Sequence, residues 1–249
     1  MIWNTKRLLG LDLGSSSVKA VEFTQLPGQP MKLTGFATAP LANPEDLRGA
    51  VKEVLRRGAF HTKLAASNVS GRLVSIKYIT VPSMTDEEMK KALPFEADKY
   101  IPFEVKDSFL DAQRISPPGT NPKEMTAVLV AAKRNLILER AAFLSDAGLL
   151  PAIVDVDAFA IGNAFEMGLS SAGTPVPDRS VAVVDIGATK TNINILRGTA
   201  TYFTREIYLA GNDLTDALSK KLSLPVQEAE ALKCNPLDQA SACREAAAA

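Results

Sequence analysis

Two stretches of this chain share one outline: "LLGLDLGSSSVKAVEF", residues 8–23, and "VAVVDIGATKTNINIL", residues 181–196. Each reads as an apolar strand that ends in Asp, one further residue and Gly, followed by small hydroxyl-bearing residues and a returning strand. One such turn is an ordinary hairpin. Two in register constrain the chain far more, because they imply two related α/β domains that each open on the same hairpin and act on one ligand as a pair of jaws.

The chemistry of the two tips points to a phosphate ligand. Gly14 and Gly187 lack a Cβ, so the backbone turns sharply and its N–H groups approach phosphate oxygens closely. Ser15, Ser16 and Ser17 on one tip, and Thr189 and Thr191 on the other, add hydroxyl donors. Lys19 supplies a point charge, whereas strand alternation turns Lys190 outward and makes it the weaker candidate. Ala188 stands where a hydroxyl or glycine could sit, which removes a side-chain donor but no backbone N–H. Asp12 and Asp185, at the strand ends, suit a hydrated magnesium ion, which prefers few carboxylates and several waters. A nucleotide with Mg2+ fits this set, ATP in the first place.

Composition narrows the classes. With 28 basic and 28 acidic residues there is no long-range field to attract nucleic acid or an acidic membrane. Cys234 and Cys243 have no zinc or disulfide spacing, in keeping with a reducing cytoplasm. Asp12 interrupts the first apolar stretch, and the run near residues 126–132 is too short to span a bilayer, so no direct membrane insertion is expected.

Along the chain, residues 8–13, 18–23 and 31–38 read as an antiparallel meander, 46–57 as a helix starting at Asn43 or Pro44, and 64–69 and 73–81 as strands. Composition changes at Pro82. Thr85 with Glu88 three residues on is a capping box, Met89, Leu93 and Ala97 fall on one face, and Pro94 kinks or splits the helix they define. Strands at 107–115 and 125–132 flank a loop at 116–122, a helix at 135–147 ends with Gly148 as its C′ residue, and a strand reaches Asp157. Residues 83–150 therefore read as an inserted α/β subdomain. A small-residue helix at 157–167 and a linker at 170–180 follow, then the second hairpin, a strand at 202–209, and helices from Asn212 and Pro225. The boundaries expected are 1–178 for the first domain and 179–249 for a partial second one.

"GLDLGSSSVKAVEF", "KALPFEADKYIPF", "AVLVAAKRNLILERAAFLSDAGLLPAIVDVDAFA" and "VVDIGATKTNINIL" resemble the PilM family of the actin-like ATPase superfamily, over residues 8 to about 233. The resemblance implies a ribonuclease-H-like α/β fold, ATP held in the cleft between two related domains, and a cytoplasmic scaffold of type IV pilus assembly. It further implies that the N-terminal cytoplasmic segment of PilN docks in a groove between the core and the insertion. Recruitment to the inner membrane would follow from PilN and other inner-membrane pilus assembly proteins. In "AGNDLT", Gly211 resembles the glycine turn of the second domain, before a helix whose N–H groups face the nucleotide. In "EAEALK", Glu230 and Lys233 resemble the pair that contacts the nucleoside; an ion pair is the plain alternative. The later glycine-rich adenosine motif of the superfamily, with its strands and helix, is missing here.

Other residues have plainer readings. His61, the single histidine, has no carboxylate or cysteine beside it in sequence and reads as a loop residue. Trp3 reads as packing. Asp155 and Asp157 lie where the superfamily orients an attacking water, yet acids at a strand end also cap helices, which is the reading favoured here. Two other functions compete: a pseudo-actin like the type II secretion L protein, against which the intact "DLGSSSVK" argues, and a sugar-kinase-like phosphotransferase, for which no substrate motif stands out. Any hydrolysis is expected to be slow, since no activating residue is evident.

Overall fold

The computed structural model describes residues 6–41, 43, 45–115, 123–171, 173, 175, 179–198, 200–236, 241 and 243–244. Trp3, Pro44, the 116–122 loop and parts of the 170–180 linker lie outside the described residues.

The meander forms as expected. β1 (Lys6–Leu13) pairs antiparallel with β2 (Ser17–Gln25), and β2 with β3 (Lys32–Pro40). α1 (Leu47–Gly58) agrees with the 46–57 reading, with Asp46 and not Asn43 as its cap: Asp46 Oδ1 accepts from Gly49 N at 2.9 Å. β4 (Leu64–Val69) and β8 (Leu150–Val156) then join β1 in parallel, giving a five-stranded sheet in the order β3-β2-β1-β4-β8. Leu9, Leu11, Val18, Val51, Val54, Leu144 and Leu149 form its core.

β5 (Val74–Pro82), β6 (Ser108–Arg114) and β7 (Glu124–Lys133) form a separate antiparallel sheet, ordered β5-β7-β6. α2 (Asp86–Ala97) packs on it through Met89, Leu93 and Ala97, all buried, against Ile79, Val81, Met125 and Leu129. The Thr85–Glu88 capping box is present. Pro94 does not split α2. It falls in the last turn, where only one ladder bond is forgone, and the buried Leu93 and Ala97 hold that turn in place.

The inserted lobe differs from the span 83–150 at both ends. β5, read as part of the core, pairs along its whole length with β7, and α3 (Arg134–Asp146), read as part of the insertion, buries Leu144 in the first core. Residues 74–133 form the second sheet with its helix. Gly148 closes α3 as expected: at φ +80° its N–H donates to Ser145 O at 2.9 Å, and Leu149 N to Leu144 O at 3.0 Å, a Schellman arrangement.

α4 (Asp157–Ser171) follows, then β9 (Ser180–Ile186), β10 (Thr191–Arg197) and β11 (Ala200–Ile207) in a sheet ordered β11-β10-β9. α5 (Gly211–Leu222) and α6 (Val226–Cys234) pack on each other through Leu218 and Ala229. By compactness the chain divides into Met1–Val183 with Asn194–Thr204, and Val184–Ile193 with Arg205–Ala249. The boundary at 179 is therefore crossed by residues 194–204, for a local reason. Asn194, fully buried, donates from Nδ2 to Ala158 O at 2.8 Å, and Gly162 of α4 lies so close to Thr201 that a Cβ there would sit 3.1 Å from its Oγ1.

Candidate nucleotide turns and a groove beside the inserted lobe

The two hairpin turns are built alike. A Cβ added to Gly14 would lie 2.8 Å from Ser17 O, and one added to Gly187 would lie 2.9 Å from Lys190 O. In each turn the carbonyl three residues on folds over the glycine, so the residue type is fixed by space and not by a positive φ. Ser15, Ser16 and Thr189 are exposed at the tips. These turns pass the steric test for a phosphate cradle that a side chain would close.

The first turn has a polar base that the sequence reading missed. Lys19 faces Asp12 across the β1–β2 ladder, its Nζ 3.1 Å from Asp12 Oδ2, in a half-exposed pair. Asn68, at the end of β4, donates from Nδ2 to Asp157 Oδ1 at 2.7 Å and to Asp12 Oδ1 at 3.4 Å, while its Oδ1 accepts from Leu13 N at 3.3 Å. One amide thus ties together the end of β1, β4 and the start of α4. Burial pushes the half-buried Arg140 guanidinium below its usual range, while the Asp157 and Asp12 charges oppose that shift. Asn68 had one sequence signal: Ser67 and Asn68 are polar residues closing an otherwise apolar strand, beside the strand that carries Asp12.

α4 begins at Asp157, so its cap position is Val156, which has no side-chain oxygen, and Asp157 is the acid of the first turn. Asp155 Oδ1 accepts from the Val156 amide at 2.7 Å.

In the second turn several expected donors have protein partners. Thr191 is buried and its hydroxyl donates to Leu209 O at 2.7 Å. Lys190, expected to turn outward, lies 3.1 Å from Glu206 Oε2 with both side chains largely buried. Asp185 Oδ2 accepts from Asn192 Nδ2 at 3.4 Å. Gly211 is the first residue of α5 and does not precede it. Its N–H donates to Gly187 O at 2.9 Å and the Asn212 N–H to Ala188 O at 2.8 Å, so these two amides dock the helix on the turn. Glu230 and Lys233 do come together, 2.6 Å apart, and more than a surface pair results. Lys233 Nζ also donates to Gly211 O at 3.1 Å and Thr215 Oγ1 at 2.9 Å, and Thr215 Oγ1 bonds Glu230 Oε2. Lys233 and Thr215 hold the Glu230 carboxyl below the ordinary glutamate range.

Magnesium would meet single carboxylates here: among the described residues no three His, Cys, Asp or Glu cluster as ligands. Asp12 could hold the hydrated ion only by exchanging Lys19 for it. Among the described residues no helix is long and apolar enough to cross a membrane.

A second candidate site lies within the first unit. A cavity of ≈ 660 Å³ is lined by residues 111–114 of β6 with Ile115 beyond it, Val128 and Val130 of β7, 154–156 of β8, the start of β11, and Phe159, Gly162, Asn163 and Glu166 of α4. Those four recur at i, i+3, i+4 and i+7, one helical face, a spacing that was readable in sequence. Burial pushes the Asp155 carboxyl above the ordinary aspartate range against the Val156 N–H, and the nearby Asp157 and Asp111 charges add to it. Arg114 does not offset these acids freely, since its guanidinium donates to Met84 O at 2.7 Å and to Met125 Sδ at 2.9 Å.

Comparison with known proteins places this geometry. A chain of a PilM-PilN type IV pilus biogenesis complex is 29% identical, with TM-score 0.81 over 97% of this chain and 73% of that one. The cytoplasmic domain of EpsL, an inner-membrane component of the Vibrio cholerae type II secretion system, is 10% identical, with TM-score 0.54 over 86% of this chain and 74% of that one. The ethanolamine utilization protein EutJ from Carboxydothermus hydrogenoformans is 16% identical, with TM-score 0.51 over 97% of this chain and 65% of that one. The last two share the fold alone, the actin-like α/β fold expected from the sequence. The family model described as type IV pilus assembly protein PilM matches residues 10–239, nearly the whole chain, and this protein belongs to that family.

Proposed function

We propose that this chain is a cytoplasmic, ATP-binding actin-like scaffold of type IV pilus assembly that takes the N-terminal cytoplasmic segment of PilN in the groove beside its inserted lobe, and is thereby recruited to the inner membrane. The observation that carries this reading is the groove itself, on a chain whose similarity to a member of a PilM-PilN complex extends over 97% of its length. Nothing about a nucleotide clamp requires a second sheet at residues 74–133; a docking surface does. A synthetic peptide of the PilN N-terminal segment is expected to bind with micromolar or better affinity by isothermal titration. Asn163→Trp, which fills the groove from an exposed position on α4, is expected to abolish it. Undiminished binding by a folded Asn163→Trp chain would remove the groove from the account.

For the nucleotide, each turn offers a glycine backbone and exposed hydroxyls to phosphate. Bound ATP with Mg2+ would offer its phosphates to Lys19 and the hydrated ion to Asp12, two groups now paired with each other. Asp12→Ala and Lys19→Ala should each weaken binding of a fluorescent ATP analogue by roughly 1.5–3 kcal/mol, on the order of 10- to 100-fold. Unchanged affinity in both variants would exclude the first turn. Turnover should be slow, and no sugar acceptor should accelerate it.

A further inference from the structure

How Asp12 is aimed, given the nucleotide reading above, follows from one row of side chains across the five-stranded sheet. Asp12 stands opposite Lys19 of β2, and Lys19 opposite Thr38 of β3. On its other side β1 runs parallel to β4 with Leu11 beside Ser67, so the next residues, Asp12 and Asn68, are neighbours. Side chains alternate between the two faces of each strand. Leu9 and Leu11 of β1 and Ala65, Ser67 and Val69 of β4 are buried, which leaves Asp12 and Asn68 together on the opposite face. The preceding row on that face is Phe36, Val21, Gly10 and Ala66, with no polar side chain. Polarity therefore begins at the carboxyl ends of β1 and β4, where an open α/β sheet takes its ligand.

Each polar atom of Asn68 has a set use. Its Oδ1 accepts from Leu13 N at 3.3 Å, which fixes the orientation of the amide, because the flipped amide would point N–H at N–H. Nδ2 is thereby turned to the two acids and donates to Asp157 Oδ1 at 2.7 Å and to Asp12 Oδ1 at 3.4 Å. Lys19 takes the other oxygen of Asp12, Oδ2, at 3.1 Å. The two holds on Asp12 differ in kind. Lys19 is half-exposed on a flexible four-carbon stem, whereas the half-buried Asn68 is tied to β1 on one side and to the start of α4 on the other. Arg140 of α3 adds positive charge near both acids, which lets Asp12 and Asp157 stand side by side, but the direction of each carboxylate is set by the amide. We propose that Asn68 is a positioning residue for Asp12: it keeps Oδ1 while Lys19 leaves Oδ2 for phosphate, so that the freed oxygen meets the hydrated ion without the carboxylate rotating. Asp157 in turn anchors Asn68 and acts on Asp12 through it. Removing a group that orients a metal-holding carboxylate typically costs about 10- to 100-fold in metal affinity.

The test reads how far magnesium strengthens nucleotide binding. Fluorescent ATP is titrated into the full chain with and without Mg2+, and the ratio of the two affinities measures what the ion adds. Asn68→Ala should cut that ratio by about tenfold or more while the magnesium-free affinity stays close to native, because the glycine backbone and Lys19 are untouched. Asn68→Leu, which keeps the size of the side chain and removes its polar atoms, should do the same and serves where the alanine variant does not fold. A double-mutant cycle then separates aiming from plain support of the strand end: in an Asp12→Ala background, Asn68→Ala should leave the ratio unchanged, since the group it acts through is gone. An unchanged ratio in a folded Asn68 variant overturns the proposal, whether affinity is native or falls equally with and without the ion. So does a further fall of the ratio in the Asp12→Ala background. Failure of the native chain to bind ATP under either condition overturns instead the nucleotide reading on which the proposal rests.

Discussion

Glu22→Ala is expected to unfold about 3–5 kcal/mol more easily than the native chain, lowering the melting temperature by roughly 10 °C. Glu22 is fully buried on β2. Its carboxylate instead accepts from His61 N at 2.6 Å, Thr62 N at 3.0 Å, Thr34 Oγ1 at 3.0 Å and His61 Nδ1 at 3.2 Å. Alanine leaves two backbone amides without an acceptor and a void where the chain leaves α1 for β4. Glu22→Gln keeps one acceptor oxygen and should lose less, about 1–2 kcal/mol. Burial opposes ionisation of this carboxyl, but the amides and hydroxyl together outweigh it and hold it below the ordinary value of 4.5. The sign follows: the folded carboxyl binds its proton less readily than the unfolded one, so the stabilisation is complete above that value and is lost as pH falls through the folded one. Denaturant unfolding at pH 7 and at successively lower pH measures both effects. Equal midpoints for native and Glu22→Ala at pH 7 would contradict this account.

Gly14→Ala and Gly187→Ala should each lose nucleotide affinity by more than tenfold and stability by about 1–3 kcal/mol, although each adds only one carbon. The new Cβ would lie 2.8 or 2.9 Å from a backbone carbonyl that cannot rotate away without opening the turn. Gly168→Ala is the matched control. It lies in α4 with nothing within 4 Å of the added carbon, so alanine there should raise stability by about 0.5–1 kcal/mol and leave nucleotide binding unchanged. A fluorescent ATP titration with parallel thermal melts separates the three variants; native-like binding by Gly14→Ala would show that the turn's shape is not what holds phosphate.

Much of this was legible because its causes are local. The Thr85–Glu88 box, the Gly148 stop and both Asp-x-Gly turns are set by residues within four positions of each other, and all stand in the structure. What was not legible depends on pairings across long stretches of chain. Whether β5 continues the first sheet or starts the second is decided by β7, some fifty residues on, and both strands look equally apolar in sequence. The same holds for α3, whose Leu144 faces the first core only because β7 returns the chain there. His61 was read correctly as a loop residue, but its carboxylate partner lies 39 positions away. In the second turn the residue types were right for phosphate, yet Thr191 and the Gly211 amide serve Leu209 and Gly187 in the structure, a use that composition cannot distinguish from ligand binding. Asn68 shows the reverse case, a site residue that only the β1–β4 pairing brings beside Asp12.

The most direct measurement is a titration of fluorescent ATP into the native chain with and without magnesium. Two turns of matching shape, with Asp12 and Asp185 at their strand ends, predict saturable binding that magnesium strengthens and that Asp12→Ala weakens 10-fold or more. The absence of saturable binding under either condition, in a chain that still takes the PilN peptide, would make it a pseudo-actin scaffold and contradict the nucleotide half of the account.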